Sequence, residues 1–102
     1  MTTIKELSER IHEFCKERNW DKYHSPKNLA MSVAIEAGEL MEHFQWIESN
    51  EAFDHGKKNS SEISDEIADV AIYLFDLART LEIDLGNAIT KKMKKNAIKY
   101  PA

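Results

Sequence analysis

Cysteine occurs once in this 102-residue chain, at Cys15. A single thiol excludes an intrachain disulfide and any multi-cysteine zinc site, and it suits a reducing cytoplasm. Glycine (3) and proline (2) are scarce. A sheet protein of this size needs more turn residues, so helices are expected. No stretch approaches the roughly 18 apolar residues of a membrane span. The opening, Met1-Thr-Thr-Ile-Lys-Glu-Leu-Ser-Glu-Arg10, lacks a signal-peptide core. A cytoplasmic location without a membrane partner is expected. Basic excess is missing too. Fourteen Lys+Arg face eighteen Asp+Glu, for a net charge of −4. That balance argues against duplex nucleic acid as a partner. It leaves room for an anionic ligand bridged by metal.

What is present is an ordinary soluble balance, with 42% apolar and 31% charged residues. The length fits one domain over residues 1–102. A chain this short buries only roughly 60–65% of its unfolded surface, so a sizeable site is expected between subunits.

Four helical segments are legible. The first runs from about Thr3 to Arg18, with Thr3 and Glu6 in a capping-box pattern and Ile4, Leu7, Ile11, Phe14 and Cys15 at helical spacing. Asn19–Ser25 reads as a connector. Ser25-Pro26 reads as a cap and first helical residue, opening a second helix to about Ile47. Glu48–Asn59 reads as a polar loop. Ser60 or Ser61 caps a third helix to about Glu82, apolar on nearly all sides and so expected to bury against a second subunit. Asp84 caps a fourth, which ends before Pro101. The expected fold is an all-α four-helix bundle, assembled as a dimer or dimer of dimers.

Glu36, Glu39, Glu66 and Asp69 carry the chemistry. Each pair is spaced i, i+3, so its members lie on neighbouring turns. Glu36 falls within about 20° of Leu29 and about 40° of Leu40 on the apolar stripe of the second helix. Glu66 borders the stripe of the third. A buried unpaired carboxylate costs several kcal/mol, so it protonates or finds a partner. No Lys or Arg lies between Leu29 and Ile47, nor between Ser61 and Leu77. An external cation is therefore expected, and oxygen ligands suit Mg²⁺, with Mn²⁺ an alternative. A di-iron site would want Glu-x-x-His, and neither Glu36 nor Glu66 has His three residues on. A carboxylate-held Mg²⁺ takes further ligands from substrate phosphates, so a polyphosphate guest is expected. Lys91, Lys92, Lys94, Lys95 and Lys99 offer positive charge for it. His12, His43 and His55 read as bystanders.

Four motifs in order then resemble a known family. They are Trp20-Asp-Lys-Tyr-His24-Ser-Pro-Lys-Asn28-Leu, Glu36-Ala-Gly-Glu39-Leu with Phe44-Gln-Trp46, Asp65-Glu66-Ile-Ala-Asp69-Val-Ala-Ile-Tyr73-Leu, and Lys92-Met-Lys-Lys-Asn96-Ala-Ile-Lys99-Tyr100-Pro101. Over about residues 10–101 the chain resembles the MazG-like all-α nucleoside triphosphate pyrophosphohydrolases, most of all the short dCTP pyrophosphatase branch. The family pattern is ExxE, a spacer, then ExxD, and the spacer here is 26 residues.

The resemblance implies that Glu36, Glu39, Glu66 and Asp69 bind Mg²⁺. It implies cleavage of a nucleoside triphosphate between the α- and β-phosphates, with Glu36 or Glu39 as the base that takes the water's proton. It implies that Lys92, Asn96, Lys99 and Tyr100 hold phosphate or sugar. The base would sit by Trp20 and Trp46, with His24 and Tyr73 nearby. In the first helix, the dCTP branch carries a substrate-contacting His; that register here falls on Ile11, beside His12, which leaves base preference open. The chain also ends soon after Tyr100-Pro101, without the longer tail of some relatives. A non-catalytic helical module for nucleotide sensing or protein interaction is the alternative.

Overall fold

A computed structural model describes residues 2–102. Among them are five α-helices and no strand: α1 (Ile4–Glu17), α2 (Pro26–Glu42), α3 (Ala52–Lys58), α4 (Ser60–Thr80) and α5 (Leu85–Lys99). The all-α architecture matches the expectation. Three starts follow the sequence signals. Thr3 Oγ1 accepts from Glu6 N–H at 3.1 Å, Ser25 Oγ from Asn28 N–H at 3.1 Å, and Asp84 Oδ1 from Asn87 N–H at 3.0 Å.

The stretch Glu48–Asn59 departs from the expected loop. It holds a 3₁₀ turn, Ser49–Glu51, and the seven-residue α3. Helix propensity is poor there, and packing overrides it. The Phe44 ring lies against Gly56 and edge-on to His55, with ring centroids 5.9 Å apart. The expected Ser60 or Ser61 cap is also absent. Asn59 holds the cap position of α4, but its side chain donates to His55 O at 3.0 Å and so closes α3. Helix α2 stops at Glu42, short of Ile47, and His43–Ile47 continues as turns.

Both α1 and α4 end in Schellman turns. Trp20 N–H donates to Cys15 O and Asn19 N–H to Lys16 O; Ile83 N–H donates to Ala78 O and Glu82 N–H to Arg79 O. The left-handed residue is Asn19 in one and Glu82 in the other, each at φ 57°. Asn tolerates that region, whereas Glu is strained there. The first turn redirects the chain so that Trp20 doubles back beside α1, its ring 5.5 Å from that of Phe14.

Helix α2 packs along α4, and this hairpin is the framework; α1 covers one flank of α4, and α5 touches α1 and α4. The core is small. Leu29 is the fully buried large side chain, joined by Cys15, Ile63 and Ala78. The chain exposes 8200 Å², against about 5,900 Å² for a folded monomer of this mass. Its radius of gyration is 16.1 Å, against about 13 Å for a compact domain.

Replacing the strained residue, Glu82→Gly, is expected to stabilise the fold by up to about 1 kcal/mol, because glycine adopts φ > 0 without steric cost. Leu29→Ala should cost about 2–5 kcal/mol through lost burial and a cavity. Urea denaturation of both variants beside the parent checks the signs.

Candidate functional site

The α2–α4 hairpin sets the site. Glu36 and Glu39 lie one turn apart on α2, and Glu66 faces them from α4. One carboxylate oxygen from each lies within 4.8 Å of the others. Burial pushes the Glu36 carboxyl above the ordinary glutamate range, and the negative charge of Glu39 adds to it. A hydrogen bond with Glu39 and the charges of Asp69 and Glu66 act in the same direction.

No Lys or Arg pairs with this group among the described residues. The single basic neighbour is His43, whose Nε2 lies 3.7 Å from Glu66 Oε1. His43 follows the end of α2, where the turn folds it back toward α4; the sequence reading had set it aside. Glu66 Oε2 has no partner at all, and it is the one buried side-chain oxygen or nitrogen left bare among the described residues. A buried acceptor without a donor is costly. Three converging carboxylates, one of them with an orphaned oxygen, and no thiol form a donor set that fits a hard divalent cation.

Asp69 sits one turn beyond Glu66, outside the tight trio. Its charge still raises both Glu36 and Tyr73. Asp69 also lines a cavity of about 480 Å³ between α1 and α4, together with Trp20, His24, Tyr73, Ile11 and Asp76. The His24 ring is 6.3 Å from that of Trp20 and 6.5 Å from that of Tyr73. The structure thus brings three of the expected ring contacts to one hollow, with an expected metal ligand on its wall. Burial, then the charges of Glu36 and Asp69, push the Tyr73 phenol up, so it stays protonated at neutral pH.

Other expected contacts lie apart. Trp46 is 88% exposed on the turn after α2. Lys92, Asn96, Lys99 and Tyr100 are all exposed on α5 and its end, and Lys99 Nζ lies 5.3 Å from the Tyr100 ring. None of these five lines the cavity. Sequence reasoning passed over Asp76, which is buried and 2.7 Å from His24 Nδ1. A signal existed: Asp76 lies at i+7 from Asp69 and at i+3 from Tyr73, on the helix face that carries both.

The fold and site define a class: a small helical domain whose central hairpin gathers acidic side chains beside an aromatic hollow. The chain belongs to the MazG-like family, whose model matches residues 31–102. It is 40% identical over 96 residues to human dCTP pyrophosphatase 1, covering 91% of this chain and 56% of that protein. Against the Mus musculus dCTP pyrophosphatase 1 it is 39% identical over 95 residues, covering 90% and 56%. The chain therefore spans about half the length of the curated relatives it matches. A crystal structure of a pyrophosphatase from Archaeoglobus fulgidus superposes with a TM-score of 0.93 at 45% identity, covering 100% of this chain and 95% of that one. Among the described residues, no helix is long and apolar enough to cross a membrane.

The raised Glu36 carboxyl gives a stability prediction with a definite sign. Folding favours its protonated form, so the metal-free protein loses stability as pH rises from the ordinary glutamate range through the raised value. Glu36→Gln in chelator should flatten that loss and raise the melting temperature at neutral pH. Thermal melts of both proteins across acidic to neutral pH measure it.

Proposed function

We propose that this chain is a Mg²⁺-dependent nucleoside triphosphate pyrophosphohydrolase that converts a deoxynucleoside triphosphate, dCTP or a close analogue, to the monophosphate and pyrophosphate. The observation that carries the reading is the carboxylate trio with its orphaned Glu66 oxygen, next to a hollow of ring-sized volume. The printed names of the relatives, dCTP pyrophosphatase and pyrophosphatase, point the same way.

Glu36, Glu39, Glu66 and Asp69 would hold Mg²⁺, with Mn²⁺ a possible substitute. When bound, the ion offsets the negative charge of these acids, screens the incoming polyphosphate and lowers the pKa of water. The chain's own residues do the rest. Glu36 and Glu39 are the two candidates to accept the proton of the attacking water. Trp20 and Tyr73 offer ring faces to the base, and the neutral phenol of Tyr73 adds no charge to repel phosphate. Trp46, Lys92, Asn96, Lys99 and Tyr100 would reach the nucleotide across a subunit boundary.

That boundary has a physical basis. On α2, the face turned away from α4 presents Met31, Ile35 and Met41, each more than half exposed. Gly38 lies between them with open space around the position of a Cβ. An apolar stripe with a flat centre suits close approach of a second helix. Burying it in a dimer, or a dimer of dimers, accounts for the excess surface.

Glu36→Gln and Asp69→Asn should each lower pyrophosphate release by about a thousandfold or more with an unchanged circular-dichroism spectrum; full activity in either would contradict the reading. Excess Mg²⁺ at about ten times its Kd should stabilise the wild type by about 1.4 kcal/mol, and melting curves with and without the ion read that out. Sedimentation should give a mass that is a multiple of 11.8 kDa, and Ile35→Glu should shift it to the monomer.

A further inference from the structure

The hollow holds a second polar arrangement that the carboxylate trio does not use. Asp76 lies on α4 and is 6% exposed. Two groups converge on its Oδ2: His24 Nδ1 at 2.7 Å and Cys15 Sγ at 3.8 Å. Burial, together with the charge of Asp76, pushes the Cys15 thiol up to about 11, so the thiol keeps its proton and donates it. A carboxylate oxygen offers only lone pairs, so each of the two contacts takes its hydrogen from the partner. The proton of the short contact therefore belongs to His24 Nδ1, and the partner of one ring nitrogen decides the state of the other.

His24 Nε2 is what remains. It has no protein partner among the described residues. The ring stands between Trp20 and Tyr73, and His24 is the one histidine on the cavity wall. On the facing helix Ile11 is apolar and Arg10 is the polar group on the wall; His24 is the wall's one imidazole. Stacking on the aromatic rings gives affinity to any base and little selectivity. An acceptor whose ring is held by a buried partner is a stronger filter. It welcomes an N–H and repels a carbonyl lone pair.

We propose that Asp76 is a positioning residue: it holds His24 with the proton on Nδ1 and leaves Nε2 as an acceptor in the hollow, which then favours a heterocycle bearing an amino group over the same ring bearing a carbonyl. This deepens the nucleotide reading above and rests on it for the class of ligand. Asp76 acts through His24, and Cys15 helps hold the carboxylate in place.

Two measurements test it, and neither needs turnover. Proton–nitrogen correlation spectra of the wild-type imidazoles at about pH 8.5, above the ordinary histidine range, should show His24 protonated at Nδ1 and bare at Nε2. Asp76→Leu should move His24 toward the Nε2–H form that unconstrained imidazole side chains prefer. Calorimetry with deoxycytidine monophosphate and deoxyuridine monophosphate should show the amino-bearing ring bound about tenfold or more tightly, and His24→Phe should bring that ratio near one. If Asp76→Leu does not fold, the wild-type spectrum and the His24→Phe ratio still decide. A wild-type His24 bare at Nδ1, equal binding of the two monophosphates, binding of neither, or undiminished discrimination in His24→Phe would each overturn the proposal. A chain that discriminates the monophosphates yet releases no pyrophosphate from any triphosphate would end the hydrolysis reading and leave this one standing.

Discussion

Negative charge placed where two helices meet, with no Lys or Arg to answer it, is the constraint on which the rest depends. Glu36 and Glu39 on α2 and Glu66 on α4 share one face of the hairpin. The same contact forms the framework of the fold. The interaction that would stabilise an ordinary helical pair is thus given over to groups that repel one another. One glutamate responds by holding its proton more tightly, and another leaves an oxygen without a partner. A small fold tolerates this when something outside the chain supplies positive charge.

The second consequence is thin burial. Among the described residues, four apolar ones are buried, Cys15, Leu29, Ile63 and Ala78. Large side chains such as Met31, Ile35 and Met41 remain in water along α2. A chain of this size has little core to spare, and spending hairpin positions on acids reduces it further. Acidic centre and exposed apolar faces are two sides of one arrangement.

Much of this was legible in the sequence. Helix starts at Thr3, Ser25 and Asp84 follow from caps that satisfy bare N–H groups, a local effect readable from a few residues. The pairing of the two acidic helices follows from apolar periodicity, which places Glu36 and Glu66 on facing stripes. What failed to show is what depends on distant contacts. Helix α3 forms because Phe44 reaches Gly56 and His55, and no local pattern announces that. Asn59 closes α3 rather than opening α4 because its amide finds a nearer carbonyl. His43 joins Glu66 only after a turn brings it back. Asp76 meets His24 across more than fifty residues of chain, and one acid on an apolar helix does not name its partner. Trp46 and the α5 group were legible as motifs, but the fold of the chain leaves them off the wall of the hollow.

The central claim is that the acidic hairpin exists to cut a nucleotide at one particular bond. Product analysis tests it most directly: the protein, Mg²⁺ and a panel of ordinary and modified nucleoside triphosphates, with nucleotide products, pyrophosphate and orthophosphate resolved together. The account predicts monophosphate and pyrophosphate in equal amounts, no orthophosphate, and loss of both products when a chelator removes the ion. Diphosphate with orthophosphate, or no product from any member of the panel by a folded protein, would contradict it.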